Sequence, residues 1–290
     1  MPSSDLPLRR GRLADYLALA RISNSPTVVS NTLAGAALAG ILAPDGRVWL
    51  LALAFVALYT AGMVLNDVCD YRIDQRERPE RPLPSGRVGR GAALGLALGL
   101  FAAGLALVAL VSWRASGWAL GLVGVIAAYD LWHKTNPLSP LVMAAARALV
   151  YLTAIAALGA SLGWPAIIAT GLLFGYIVGL TFIAKCELRP SFGAIWPAAL
   201  VILPVAVLAV RFSLPALAIG LVLLAWVAHS LSFVYRAQGR SIGGAITRLI
   251  AGVSLYDALV CAAWGSAAGA LGGIVAFGLT LFLQRFIRGT

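Results

Sequence analysis

Long apolar runs separated by short polar breaks make up nearly the whole chain. Runs of the length that crosses a bilayer as a helix fall near residues 23–43, 47–66, 91–112, 116–132 and 139–160. Others fall near 164–185, 193–210, 214–235, 246–265 and 267–286. Ten helices are predicted. The ninth and tenth are divided only by Trp264-Gly265-Ser266, so 246–286 reads as two spans, one long bent pair or a re-entrant segment. The expected class is all-α, a polytopic membrane helical bundle. Residues 1–20 read as a basic tail with a short interfacial helix through Leu13-Ala14-Asp15-Tyr16-Leu17. Residues 21–290 read as one membrane domain, in which 67–90 is a charged, Pro-containing loop long enough to suggest a functional cap.

Composition agrees. The chain is 61% hydrophobic and 11% charged, which excludes an ordinary soluble domain. With the N-terminus in the cytoplasm and spans alternating, all but four of the 22 Lys and Arg fall at cytoplasmic ends. The four are Arg47, Arg114, Arg211 and Arg147, the last inside a span. This is the positive-inside pattern, and it explains the net charge of +11 without a nucleic-acid partner. The partner it implies is the lipid bilayer, with a bacterial inner membrane as the expected location. No secretory signal is expected, because the first apolar run is already of span length. Cys69, Cys186 and Cys261 form no disulfide framework.

The polar breaks carry the chemistry. Residues 66–88 hold five of the eleven acidic residues. Asp67, Asp70 and Asp74 follow the second run directly, and if its helix continues, spacings of three and four place them on one face. Like charges so arranged repel unless a cation joins them, and oxygen-only clusters suit Mg²⁺ shared with substrate phosphates. A prenyl diphosphate fits this chemistry: metal and cationic side chains neutralise the leaving group, and a dry channel takes the tail. The candidate ligands are Asp67, Asp70 and Asp74, with Asn66 orienting a ligand or water. Arg72, Arg78, Arg81, Lys134 and Lys185 are candidate phosphate contacts. A cap of ion pairs would account for the same loop without chemistry. Asn24 and Asn31, seven apart, share a helix face and are candidates to line an acceptor cavity or to bond neighbouring helices. Arg147 and Asp257 lie inside spans, where ionisable groups face the bundle interior, and a structural Arg147–Asp257 pair is one expectation.

Spans two and six both run toward the predicted cytoplasmic side. One ends in the carboxylate cluster and the other in Ala184-Lys185-Cys186-Glu187-Leu188-Arg189, so a site between them is expected.

These residues resemble a known family. Asn66-Asp67-x-x-Asp70-x-x-x-Asp74, followed by Arg81-Pro82-Leu83-Pro84-Ser85-Gly86, is similar to the first signature of the UbiA superfamily of intramembrane prenyltransferases. Arg21-Ile22-Ser23-Asn24-Ser25-Pro26 with Asn31 resembles its first helix, and Tyr129 to Lys134 its fourth helix end. The resemblance implies nine helices around a central cavity open to the cytoplasm, here with a tenth. It also implies Mg²⁺-dependent transfer of a prenyl group to a lipophilic, typically aromatic acceptor. The departure from the family pattern lies at helix six, where a second Asp-rich motif is expected. Tyr176 through Arg189 has only Glu187, with Ile177 and Ala184 standing where family acids would be. Lys185 beside Glu187 is the candidate replacement for a metal by a fixed cation. A family subgroup associated with ebo gene clusters shares this loss. Asp67, Asp70, Asp74, Glu187 and Lys185 are the expected catalytic set. Asn24, Asn31, Asn66, Arg72, Arg78, Arg81, Tyr129, Lys134 and Arg147 are the expected substrate contacts. The alternative is a non-catalytic relative that binds or translocates an isoprenoid or lipid-linked compound. An ordinary secondary transporter fits less well, since the acids gather at one surface.

Overall fold

A computed structural model describes residues 13–133, 136–186, 194–236 and 239–286. All ten apolar runs are helical. In chain order the helices are α1 (Leu13–Leu19), α2 (Ser25–Leu38), α3 (Gly46–Cys69), α4 (Tyr71–Glu77), α5 (Arg90–Val111), α6 (Ser116–Trp132) and α7 (Ser139–Ala157). There follow α8 (Trp164–Lys185), α9 (Trp196–Ile202), α10 (Val207–Val210), α11 (Leu214–Tyr235), α12 (Ile242–Ala263) and α13 (Ala267–Leu283). Among the described residues, seven stretches are long and apolar enough to cross a membrane: α3, α5, residues 113–132, α7, α8, α11 and α12.

Local chemistry sets the boundaries. Asp45 caps α3, accepting hydrogen bonds from the backbone N–H of Arg47 (2.9 Å) and Val48 (3.1 Å). Pro204 lies in the 3-10 turn Leu203–Ala206 that interrupts the seventh run; a proline cannot donate to the preceding turn, so α9 and α10 stay short. Gly265, at φ +86°, makes the left-handed turn between α12 and α13. Residues 246–286 are therefore two helices, packed against each other and against α2.

Burial separates a centre from a periphery. Within the apolar stretch of α12, 83% of residues are buried inside the protein, against 22% for α5 and for 113–132. The first is the hub; the others turn their apolar surfaces outward, as lipid-facing helices do. One apolar cluster gathers α2, α7, α8, α11 and α12, and a second gathers α3, α5, α6 and α7.

The third cluster builds the cap. Leu19, Val64, Leu83, Val88, Ala93 and Ala97 pack together, and Asp15 pairs with Arg87 at 2.7 Å. The helix expected in the tail exists as α1. Its first residue, Leu13, is exposed, and its last, Leu19, packs into this cluster. Past α3 the chain stays helical as expected, but with a break at Asp70 (φ −82°, ψ 0°), where α3 ends and α4 begins. Asp70 N–H donates to Asn66 O, Asp74 N–H to Asp70 O and Arg78 N–H to Asp74 O, each at 2.9 Å.

Candidate active site

A cavity of about 480 Å³ lies among α2, α3, α6, α7, α8 and α12. Each helix gives it one stripe at helical spacing. From α3 and the cap come Phe55, Leu58, Tyr59, Gly62, Met63, Asn66, Asp70 and Asp74. From α6 come Leu122, Ile126, Tyr129 and Asp130, followed by His133. Ile177, Leu180, Thr181, Ala184 and Lys185 come from α8. The stripe on α3 grades from apolar to acidic. From Phe55 to Asp70 is roughly 22 Å along a helix, enough to pair an extended apolar tail with a charged head.

The acids are held by named partners. Arg81 Nη1 donates to Asp74 Oδ2 at 2.8 Å and lies 3.6 Å from Asp67 Oδ1. Arg21 Nη2 donates to that Asp67 oxygen at 3.1 Å. His133 Nε2 is 3.4 Å from Asp70 Oδ2, with the His133 ring stacked on Tyr129 at 4.9 Å. Arg21 takes the left-handed conformation, φ 45°, ψ 46°, uncommon for a residue with a β-carbon. Its pairing with Asp67 crosses from the start of α2 to the end of α3, and strain of this kind concentrates at functional positions.

The structure brings Asn24, Asn66, Asp70, Asp74, Arg78, Arg81, Tyr129, Arg147 and Lys185 to the cavity. Asp67 stands behind the lining, orienting Arg21 and Arg81. Arg72 is exposed and outside the lining. Asn31 is fully buried away from it, donating to both Asp257 oxygens at 2.9 Å and accepting from Arg147 Nη1 at 2.7 Å. The direct Arg147–Asp257 pair expected from sequence is therefore replaced by a relay through Asn31. Asp257 also accepts from Ser30 Oγ and from Tyr151 OH (2.6 Å), while Arg147 Nη2 donates to Thr27 Oγ1 at 2.9 Å. Lys185 Nζ donates to Asn136 O at 2.7 Å, tying α8 to the chain that enters α7. Lys134 and Glu187 lie outside the described residues.

An acid of the cavity lining not singled out from the sequence is Asp130. Asp130 is 4% exposed; its Oδ1 accepts from Asn66 Nδ2 at 3.2 Å, and its Oδ2 is buried without a hydrogen-bond partner among the described residues. An unsatisfied buried acceptor costs about 1–3 kcal/mol, more when charged. The contact depends on close helices: a β-carbon at Gly62 would stand 2.7 Å from Ile126 Cγ2, so glycine there lets α3 approach α6. The available signal was an acid inside an apolar run.

Among the described residues no three His, Cys, Asp or Glu side chains form a metal cage. The donor set nevertheless fits Mg²⁺, which is commonly held by one or two carboxylates together with waters and substrate phosphates. Asn66, Asp70, Asp74 and Asp130 offer oxygens to one cavity, one of them unpartnered.

Known proteins share this architecture. The fold matches a UbiA homologue from Archaeoglobus fulgidus bound to GPP and Mg²⁺ with a TM-score of 0.65 at 14% identity, over 91% of this chain and 99% of that one. A structure described under digeranylgeranylglyceryl phosphate synthase in membranes aligns with a TM-score of 0.62 at 18% identity, over the same shares. In sequence, digeranylgeranylglyceryl phosphate synthase of Thermococcus gammatolerans is 47% identical over 78 residues, 27% of this chain and 28% of that protein. The Ignicoccus hospitalis protein of the same name is 43% identical over 94 residues, 32% and 30% of the two chains. These matches span less than a third of either relative's length. The model of the UbiA prenyltransferase family matches residues 28–243, most of the chain. With that match on a helical bundle whose cavity grades from apolar to acidic, the chain belongs to the UbiA prenyltransferase family.

Proposed function

We propose that the protein transfers a prenyl group from a prenyl diphosphate, with Mg²⁺, to a lipophilic acceptor within the membrane. The single observation that carries this reading is the stripe on α3, where one cavity runs from Phe55 and Leu58 to Asn66, Asp70 and Asp74. The apolar part suits the tail and excludes water from an allylic carbocation. The polar end suits the diphosphate, with Arg78 and Arg81 at the lining and Asp67 fixing Arg81. Bound Mg²⁺ would neutralise charge accumulating on the departing diphosphate. Asp70 and Asp74 are the side chains placed to hold it, with Asn66 beside them; Asp67 is the further ligand the family resemblance suggests.

Support from relatives is indirect. A structural neighbour holds GPP and Mg²⁺, and the sequence relatives are named for a glyceryl phosphate product, which is not aromatic. The acceptor class proposed here is accordingly lipophilic, without requiring an aromatic ring. The charge pattern favours placing the N-terminus and the cavity mouth on the cytoplasmic side.

A second reading has its own observation. The part of α8 that lines the cavity offers Ile177, Thr181, Ala184 and Lys185, with no acid among the described residues. A protein that binds or moves an isoprenoid diphosphate without cleaving it would tolerate that. The deciding experiment supplies prenyl diphosphates and glycerophosphate, phenolic and hydroxylated lipid acceptors to purified protein in Mg²⁺. Acceptor-dependent release of diphosphate, with a prenylated product by mass spectrometry, supports transfer. Saturable binding with no release across the acceptor panel contradicts it and favours the carrier.

A further inference from the structure

We propose that Asp130 is a metal ligand of the diphosphate site, supplying from α6 a carboxylate that the described part of α8 lacks. The inference rests on the Mg²⁺–diphosphate reading above and adds a residue to it. Three observations converge on it. Asp130 lines the same cavity as Asp70 and Asp74, on the stripe that also carries Tyr129 and His133. It is more than nine-tenths buried, and one carboxylate oxygen has no donor among the described residues. Its other oxygen accepts from Asn66, which lines the cavity between Met63 and Asp70 on the α3 stripe, so one side chain ties the two acidic walls together.

The chemistry follows from these placements. A buried carboxylate oxygen needs a hydrogen-bond donor or a cation, and the side chain of Asn66 satisfies only its neighbour. The same cavity is where the head of an anionic substrate would have to be neutralised. On α8, the facing positions are aliphatic, hydroxyl or cationic: Ile177, Thr181, Ala184 and Lys185. A carboxylate on α6 gives the cavity an acidic group on a second wall, while α8 presents the Lys185 ammonium. A purely structural aspartate in an apolar helix would be saturated by protein donors, as Asp257 is.

The test reads metal directly, without turnover. Full-length protein in nanodiscs is titrated with Mn²⁺ in the presence of a non-hydrolysable prenyl thiodiphosphate, and free Mn²⁺ is followed by electron paramagnetic resonance. Wild type is expected to take up Mn²⁺, and Asp130→Asn to bind it about tenfold or more weakly. Without metal, Asp130→Asn is expected to melt no lower than wild type, since the amide removes a buried negative charge that only Asn66 hydrogen-bonds. A folded Asp130→Asn that binds Mn²⁺ as tightly as wild type overturns this inference alone and directs attention to Asp130 as an acceptor-side proton acceptor. Absence of Mn²⁺ uptake by wild type overturns the diphosphate-site reading with it. Should Asp130→Asn not fold, Asp130→Glu carries the test, because it keeps the charge and moves the oxygens. A ligand predicts weakened affinity and a changed Mn²⁺ spectrum; an unchanged titration contradicts it.

Discussion

Two acidic centres in this bundle are built on opposite principles. Around Asp257, Ser30, Asn31 and Tyr151 all donate to one carboxylate, and Asn31 passes the contact on to Arg147. Buried charge deep in the bundle is thereby compensated and hydrogen-bonded from α2, α7 and α12. At the cavity mouth, Asp70 and Asp74 sit on the lining, Arg81 is shared between Asp67 and Asp74, and Asp130 has an oxygen without a partner among the described residues. The first centre joins helices. The second carries the proposed diphosphate site, and the contrast separates the two centres better than burial does, because both sets of acids are buried.

Substitutions should separate the two. The largest effect is expected at Asp257→Ala, which strands Arg147 and three donors. Breaking a buried charge network costs about 3–5 kcal/mol, so the unfolding transition in detergent should move strongly or the protein should fail to accumulate. Next comes the loss of ligand response at the mouth. A ligand at 100 times its Kd stabilises the folded state by about 2.7 kcal/mol, and Asp70→Asn or Asp74→Asn should abolish that Mg²⁺-dependent gain in a melting assay while leaving the unliganded protein folded. Arg81→Ala should weaken diphosphate binding by about 10- to 100-fold, the worth of a hydrogen bond to a charged group, read by titration calorimetry. The smallest effect is expected at Tyr151→Phe. One interhelical hydrogen bond in a membrane is worth about 0.6 kcal/mol and rarely above 1.7, so a small loss of stability with an unchanged ligand response is the expected result.

The mouth was more legible in the sequence than the interior. Asp67, Asp70 and Asp74 follow an apolar run at helical spacings, and α4 resumes the helix directly after a break at Asp70. Even here the face was read too broadly. Arg72 is two residues from Asp70, about 200° around a helix, so the same periodicity that gathers the acids turns it away. Asp67 was expected on their face but stands behind the lining, paired with Arg21 and 3.6 Å from Arg81. Asn31 could not be placed from spacing, because its partners come from α7 and α12, more than a hundred residues distant. Asp130 escaped notice beside the more conspicuous Tyr129 and His133; its meaning depends on how closely Gly62 lets α3 approach. Helix positions follow from local hydropathy, whereas the pairing of polar groups follows from which helices meet.

The most direct measurement is thermal stabilisation of the purified protein by prenyl thiodiphosphates of several chain lengths, with Mg²⁺ and with EDTA, for wild type and Asp70→Asn. The account predicts stabilisation of wild type that requires Mg²⁺ and disappears in Asp70→Asn. Stabilisation that persists in EDTA or in Asp70→Asn, or none at any chain length, would contradict a metal-dependent diphosphate site at the mouth of this cavity.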